Sequence, residues 1–270
     1  MPAQGKRRAL GQHFLKDQSV IARIVDRALE EAGKAGCRSL LEIGPGRGAL
    51  TDALAARLRE NPRGIERLTL AERDRDLAAS WAQKAAGSGG RLVVEPGDFL
   101  DLPRERWISN EPVGVVSNLP YSAATAIVLR LAGERAAIPC MVLMFQAEVA
   151  RRLRATPETK EWGSLSIWIQ NFWDVTRLCG VPPGAFTPPP NVDSEVVVLL
   201  RRAEPRIPVS ADREVVWEKI LRASFAHRRK MLRSGLPAEL RAIYEKAGLD
   251  GTKRAEALSW DEWGRFFAAT

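Results

Sequence analysis

The sequence predicts an α/β domain with a mainly parallel sheet and an antiparallel edge, followed by a small all-helical domain. From Leu40 to Val198, short apolar runs alternate with stretches of helical character, which is typical of βαβ units. Two β-branched runs, Trp173 to Val181 and Val192 to Arg201, flank a proline-rich loop and indicate an antiparallel pair. Strand patterns end beyond this point, so we predict domains of residues 1–204 and 205–270.

The elements of the first domain follow from runs of Leu, Ile and Val, which are typical of strands buried on both faces. Each run is followed by a stretch with helical periodicity. In chain order, the predicted strands run from Ser39 to Ile43, Arg67 to Ala71, Arg91 to Glu95, Val113 to Ser117 and Cys140 to Phe145, and the predicted helices from Leu50 to Arg59, Arg75 to Ala85, Ala123 to Ala132 and Ala147 to Arg154.

Composition narrows the function classes. The 270-residue chain carries a formal net charge of +8, and this basic balance favours a polyanionic partner, usually nucleic acid. His13 and His227 are its two histidines and its three cysteines lie far apart, which argues against a zinc site, a Ser-His-Asp triad or a disulfide framework. No apolar run reaches membrane-spanning length and the basic N-terminus lacks an apolar segment, so we expect a cytoplasmic protein without a metal.

A basic cluster in the predicted small domain is a candidate nucleic-acid contact. Arg228, Arg229 and Lys230 are consecutive, and cations so grouped bind phosphate groups. The alternative is an ordinary solvated helix face. Because the cluster lies in a small basic domain, we predict that it contacts nucleic-acid phosphates.

A glycine loop follows the first predicted strand, where an open α/β sheet binds a nucleotide-like cofactor. Gly44 and Gly46 allow a tight turn and a close approach of the ligand to the backbone. With Ala49 they also satisfy a dinucleotide-binding pattern, but Pro45 inside the turn and Glu42 before it oppose that interpretation. An acidic strand end suits the sulfonium and ammonium of S-adenosylmethionine better than a pyrophosphate.

Further acids follow the next two strands. Glu72 ends the second strand, where a carboxylate can accept both hydroxyls of a ribose. Asp98 follows the third strand and can accept a hydrogen bond from an adenine N6 amine. Either residue alone is also compatible with a helix N-cap or a surface acid.

Asn118-Leu119-Pro120-Tyr121 follows the fourth strand and has the form of a clamp for an amino group on a flat ring. The Asn118 amide oxygen and the Leu119 carbonyl can accept the two N–H bonds of an exocyclic amine, which localises its nitrogen lone pair. Pro120 holds the backbone direction and Tyr121 offers a stacking face. The four residues alone are also compatible with an ordinary turn. With the glycine loop and the two acids, they would line one rim of the sheet with a methyl donor and an amine acceptor.

The sequence resembles the ribosomal small-subunit RNA adenine dimethyltransferases of the KsgA type over nearly its whole length. Six motifs in order carry the resemblance: Gly11 to Leu15, Glu42 to Gly48, Asn118 to Tyr121, Gln146 to Leu153, Phe186 to Ser194, and Phe225 to Leu232. His13 departs from the family, which usually has asparagine there.

The resemblance implies an activity and further site residues. The protein would use S-adenosylmethionine to dimethylate N6 of two adjacent adenines in the 3′-terminal hairpin loop of 16S rRNA, within an immature 30S subunit, as a monomer. Gln12, His13, Leu15 and Asn118 would lie near the cofactor. Phe186 and Tyr121 would sandwich the flipped base.

Three alternatives stay open on the sequence. A 23S rRNA adenine methyltransferase of the macrolide-resistance type shares the loop and the clamp, but the motif Phe225 to Leu232 argues against it. A DNA adenine methyltransferase would need a sequence-reading module, which nothing here resembles. A mainly non-catalytic assembly or transcription factor would not need the intact set of Glu42, Glu72, Asp98 and Asn118.

Overall fold

The chain folds into two compact units in a computed structural model that describes residues 13–60, 64–108 and 111–270. The first unit extends to Ala150 and takes in Val175–Arg201, and the second contains Arg151–Asp174 and Arg202–Thr270. Residues 151–174 thus group with the C-terminal part of the chain, whereas the sequence-based division at residue 204 leaves them in the first domain. As a boundary between independently folding domains, that division stays a prediction.

The first unit is organised by a seven-stranded sheet with the order β4-β3-β2-β5-β6-β9-β7. Neighbours from β4 to β6 are parallel, and β9 runs antiparallel to β6. The predicted fold class, a mainly parallel sheet with an antiparallel edge, is confirmed. The seven strands are β2 (Ser39–Ile43), β3 (Arg67–Glu72), β4 (Leu92–Pro96), β5 (Val113–Asn118), β6 (Cys140–Gln146), β7 (Trp173–Val181) and β9 (Ser194–Arg201).

Helices cover this sheet because its central strands are apolar on both faces. All five residues of β2 are buried, Glu42 included. Helix α1 (Gln18–Lys34) packs on β5, β6 and α2 (Ala49–Glu60), and α3 (Arg75–Ala86) packs on β4. The helices of this part of the chain are α1 (Gln18–Lys34), α2 (Ala49–Glu60), α3 (Arg75–Ala86), α4 (Ala124–Gly133) and α5 (Ala147–Leu153).

The order of the strands indicates which edge of the sheet binds a ligand. β3 and β4 lie on one side of β2, whereas β5 and β6 lie on its other side. The order therefore reverses between β2 and β5, and open α/β sheets bind ligands at the carboxyl ends of the strands at such a point. Glu42 and Asn118 stand near the ends of these two strands.

A second, two-stranded sheet joins segments that are distant in sequence. β1 (Phe14–Leu15) pairs antiparallel with β8 (Phe186–Thr187), and Leu15 is the partner of Phe186. The Lys16 amide also donates to the Ala185 carbonyl at 2.8 Å. We call these residues, 13–16 and 185–188, the strap.

Helix α1 has clear sequence signals, although no helix was predicted there. Asp17 caps it, with Oδ1 accepting from the Ser19 and Val20 amides at 2.9 and 3.1 Å. Ile21, Ile24 and Ala28 then recur at helical spacing and are buried.

The second unit is helical in its C-terminal part, as predicted. Within residues 205–270 its helices pack around aromatic side chains, with Trp217 against Trp263 and Phe267 in edge-on contacts. Its helices are α6 (Ser164–Phe172), α7 (Glu214–Phe225), α8 (Leu232–Gly235), α9 (Ala238–Lys246) and α10 (Trp260–Ala268). In the parts of the chain that the structure covers, no helix combines the length and the apolar character needed to cross a bilayer.

Candidate active site

A cavity of about 300 Å³ lies at the carboxyl ends of β2, β3 and β5 in the first unit. It brings together most of the residues predicted from the sequence, although they come from five separate segments of the chain. The predicted site residues that line it are His13, Leu15, Glu42, Gly44, Gly46, Glu72, Asp98, Asn118, Leu119, Pro120 and Tyr121. Gln12 lies outside the described residues.

The glycine loop needs its glycines for backbone conformation and for space. Gly46 and Gly48 have φ of 56° and 94°, in the left-handed region that side chains disfavour. A Cβ on Gly48 would lie 2.5 Å from Cζ2 of Trp81. The Trp81 indole in turn donates to the Gly46 carbonyl at 3.0 Å, which holds the loop against α3.

Glu42 is buried at the end of β2 and makes one strong local contact. The Thr51 hydroxyl donates to its Oε2 at 2.7 Å. Burial, with further contributions from the nearby Glu72 and Asp52 charges, raises the pKa of Glu42 to about 8. In this state the carboxyl is therefore mostly protonated at neutral pH, and a bound cation would favour its ionised form.

Glu72 is oriented by backbone amides. The Gly46 N–H donates to Oε2 at 2.9 Å and the Asp74 N–H to Oε1 at 2.8 Å. Burial raises the pKa of this carboxyl, although the amide hydrogen bonds oppose the shift. The carboxylate thus links the glycine loop to the start of α3 while it faces the cavity.

Asp98 lies in the turn after β4. Its Oδ1 accepts from the Leu100 N–H at 3.0 Å, and its Oδ2 lies 3.2 Å from Arg73 Nη1. Arg73 was not predicted as a site residue and has no local signal in the sequence, because the ion pair joins the ends of two different strands.

Asn118 ends β5 and is oriented by a contact with the strap. Its Nδ2 donates to the His13 carbonyl at 3.3 Å, so Oδ1 is the atom left to accept a hydrogen bond. The Pro120 carbonyl accepts from the Ala123 N–H at 3.0 Å, and the Leu119 N–H donates to Met144. Among the described residues, no such hydrogen bond is made to the Leu119 carbonyl, which can accept from a ligand as the amine-clamp hypothesis requires.

Tyr121 is half-buried beside this clamp. Its hydroxyl pairs with the Ser194 hydroxyl at 2.6 Å, and burial raises its pKa. The His13 ring stacks on it with centroids 5.7 Å apart, and His13 Nδ1 bonds the Pro188 carbonyl at 2.9 Å. The side chain of His13 therefore contacts Tyr121 of the predicted amine clamp, and its place near the cofactor stays a prediction. His13 and the residues predicted to bind the cofactor line the same cavity.

Phe186 is not brought into the cavity. Its side chain is 1 % exposed and belongs to the apolar core. Its predicted stacking on a base stays a prediction and requires movement of the strap.

The basic cluster lies in the second unit with all three side chains exposed. Arg228 is partly engaged, since its Nε donates to Glu256 at 3.1 Å and its Nη2 to the Thr159 carbonyl at 3.3 Å. Phosphate contact by Arg228, Arg229 and Lys230 stays a prediction. Across the described residues, no group of three or more His, Cys, Asp and Glu side chains could hold a metal ion.

Two solved structures share the fold over nearly the whole chain. The 23S rRNA methyltransferase ErmE superposes with a TM-score of 0.66 at 27% identity, covering 95% of this chain and 98% of that one. A dimethyladenosine transferase from Plasmodium falciparum superposes with a TM-score of 0.73 at 22% identity, covering 94% and 96%. The fold is that of the S-adenosylmethionine-dependent methyltransferases.

Sequence comparison defines the family. The model of the ribosomal RNA adenine dimethylase family matches residues 3–269, so the chain belongs to this family. A protein of Syntrophotalea carbinolica named ribosomal RNA small subunit methyltransferase A is 38% identical over 265 residues, 96% of this chain and 94% of the relative. A protein of the same name from Geobacter sulfurreducens is 40% identical over 268 residues, 95% and 92% of the two chains. The predicted family and enzyme class are confirmed.

Proposed function

We propose that this protein transfers methyl groups from S-adenosylmethionine to N6 of two adjacent adenines in the 3′-terminal hairpin loop of 16S rRNA. Its substrate is the immature 30S subunit in the cytoplasm, and it acts as a monomer. The orientation of Asn118 carries the proposal, because its amide oxygen and the Leu119 carbonyl are left to accept from an exocyclic amine. The small-subunit relatives support the choice of RNA.

The donor side of the cavity fits S-adenosylmethionine by its chemistry. Glu72 presents a carboxylate to the ribose hydroxyls, and Asp98 can accept from the adenine amine. Glu42, whose ionised form a bound cation favours, provides negative charge near the cationic end. The glycine loop lets the ligand approach the backbone, since Gly44 and Gly46 both have positive φ. When bound, this cofactor supplies a methyl group on a sulfonium sulfur.

The acceptor side orients the target amine. An adenine must leave its stack to expose N6, which costs a few kcal/mol and less in a loop. Stacking on Tyr121 offsets about 1–3 kcal/mol of this cost. Since His13 stacks on Tyr121, the base would use the free part of the ring, and Phe186 would add a second face once the strap moves.

The chemical step depends on positioning. Asn118 Oδ1 and the Leu119 carbonyl accept the two N6–H bonds and direct the nitrogen lone pair along the line of displacement. In the proposed transfer the N–CH₃ bond would form as the donor's S–CH₃ bond breaks, with the bonding pair remaining on sulfur. The amine proton, acidified by methylation, would leave to water. The monomethylated nitrogen then binds again for the second transfer.

Transfer of a labelled methyl group tests the proposal. Immature small subunits are incubated with labelled S-adenosylmethionine, beside mature small subunits and large-subunit RNA. Label recovered as N6,N6-dimethyladenine on immature small subunits alone supports the proposal. Because ErmE shares the fold, label on large-subunit RNA would instead assign the 23S activity. Binding of subunits without transfer would overturn the catalytic role.

A further inference from the structure

Arg130, on the last turn of α4, makes hydrogen bonds to the turn of residues 98–102, which borders the cavity. Its Nη1 donates to the Phe99 carbonyl and its Nη2 to the Leu102 carbonyl. One guanidinium thus bridges two backbone carbonyls. The planar guanidinium has several N–H donors in a fixed arrangement, whereas the ammonium of lysine cannot reproduce this geometry.

Two aromatic rings also contact this guanidinium. Its Cζ lies 5.1 Å from the Phe99 ring centre and 5.3 Å from that of Trp107. The two rings contact each other at 4.8 Å and both are buried. Cation–π attraction therefore adds to the two hydrogen bonds and restricts the arginine to one position.

The turn that Arg130 contacts begins at Asp98. The Asp98 carbonyl accepts from the Asp101 and Leu102 amides at 2.9 and 3.1 Å, and its carboxylate accepts from the Leu100 amide. Arg130 holds this turn at residues 99 and 102, immediately after Asp98 and at the end of the turn. A shift of either point would move the Asp98 carboxylate relative to the cavity.

The same helix borders the acceptor motif. α4 begins shortly after Tyr121, and Ile127, one turn before Arg130 on the same face, lines the cavity. Arg130 thus ties the donor-side turn to the helix that follows the amine clamp.

We propose that Arg130 is a positioning residue that sets Asp98 for recognition of the adenine amine of the methyl donor. This inference rests on the proposed function of the cavity and adds a determinant of donor specificity. A purely fold-stabilising arginine would affect every ligand of the cavity alike. A positioning residue affects the discrimination between adenine and a base without the amine.

Calorimetric titration with two ligands separates these roles. S-Adenosylhomocysteine carries the amine and S-inosylhomocysteine has a carbonyl in its place. We expect the wild-type protein to prefer the adenine ligand by about tenfold or more, as a hydrogen bond to a charged group allows. Arg130→Met should remove most of this preference while changing the affinity for S-inosylhomocysteine by less than about twofold. Arg130→Lys should be intermediate and serves if Arg130→Met does not fold.

A matched control and a double variant complete the test. Arg201 also donates to two backbone carbonyls, those of Arg135 and Ala136 at 2.8 and 3.4 Å, but does not line the cavity. Arg201→Met should leave the preference intact. In an Asp98→Asn background, Arg130→Lys should have no further effect on the preference.

Two results would overturn the inference. One is an equal loss of affinity for both ligands in Arg130→Met and Arg130→Lys; the other is a wild-type protein that binds both ligands equally. Failure of the proposed function is distinct, since the wild-type protein would then neither bind S-adenosylhomocysteine nor transfer methyl groups.

Discussion

The donor and acceptor halves of the cavity are held in place in different ways. On the donor side, Glu42 and Glu72 are oriented by Thr51, Gly46 and Asp74, which lie within or directly after the β2-α2-β3 segment. On the acceptor side, Asn118 and Tyr121 depend on His13 and Ser194, which lie far away in sequence. We infer that the donor half is rigid once its strands form, whereas the acceptor half adjusts when the strap moves. The proposed function, in which a flipped base enters and binds twice, would benefit from such an adjustable half.

The strongest effect that we expect concerns the buried carboxyl of the donor half. The pKa of Glu42 rises from its ordinary value of 4.5 to about 8 in the folded protein. Between these pH values the folded protein holds a proton that the unfolded chain has lost, so its stability falls by about 1.4 kcal/mol for each unit of rising pH. The Glu42→Gln variant lacks this carboxyl. Its free energy of unfolding, relative to that of the wild type at the same pH, should therefore rise from pH 5 to pH 8 and then level off. Urea unfolding across this range measures it, and parallel pH profiles for the two proteins would contradict it.

The second effect tests whether the donor loop is as rigid as its local contacts indicate. In Gly48→Ala, positive φ costs about 1–2 kcal/mol and the contact with Trp81 adds about 1–3 kcal/mol. Gly44→Ala is the matched control, because Gly44 also has positive φ but nothing lies within 4 Å of the position that a Cβ would take there. Urea unfolding should show the larger loss for Gly48→Ala, with weaker S-adenosylhomocysteine binding. Equal losses would mean that the loop yields at Trp81.

The third effect separates the two halves directly. Asn118→Ala should lower the rate of methyl transfer by about 100-fold or more, as for the loss of one positioned polar group in an active site. Asn118→Asp, which keeps an acceptor oxygen, should retain more activity. Single-turnover transfer measures both, and calorimetry checks that S-adenosylhomocysteine affinity changes far less than the rate. A matching loss of donor affinity would show that the halves are not separate.

The weakest effect concerns the contact of Tyr121 with Ser194. Tyr121→Phe loses one hydrogen bond, of about 1 kcal/mol, and keeps the ring face for stacking. Its KM for the immature subunit should rise by less than about fivefold, whereas Tyr121→Ala should raise it further by the loss of about 1–3 kcal/mol of stacking. Ser194→Ala should match Tyr121→Phe. An equal effect of Tyr121→Phe and Tyr121→Ala would remove the base-stacking role.

Much of the fold follows from local pattern. The predicted strand from Ser39 to Ile43 has the observed bounds, and the other parallel strands differ by about a residue at their ends. The last strand begins at Ser194, two residues later than the predicted Val192. Hydrophobic runs and glycine turns are local properties, so they can be recognised in the sequence without the tertiary structure.

Local sequence was enough to predict the succession of strands and the polar residues that end them, and therefore the meeting of Glu42, Glu72, Asp98 and Asn118 at one edge. Parallel strands bring their carboxyl ends to the same side, which makes such a series predictable. The folded chain was needed to establish the pairing of β1 with β8, the burial of Phe186, and the contacts of Arg130 with the turn after Asp98. These contacts join segments separated by many residues, and no local periodicity encodes which distant partner a side chain will meet.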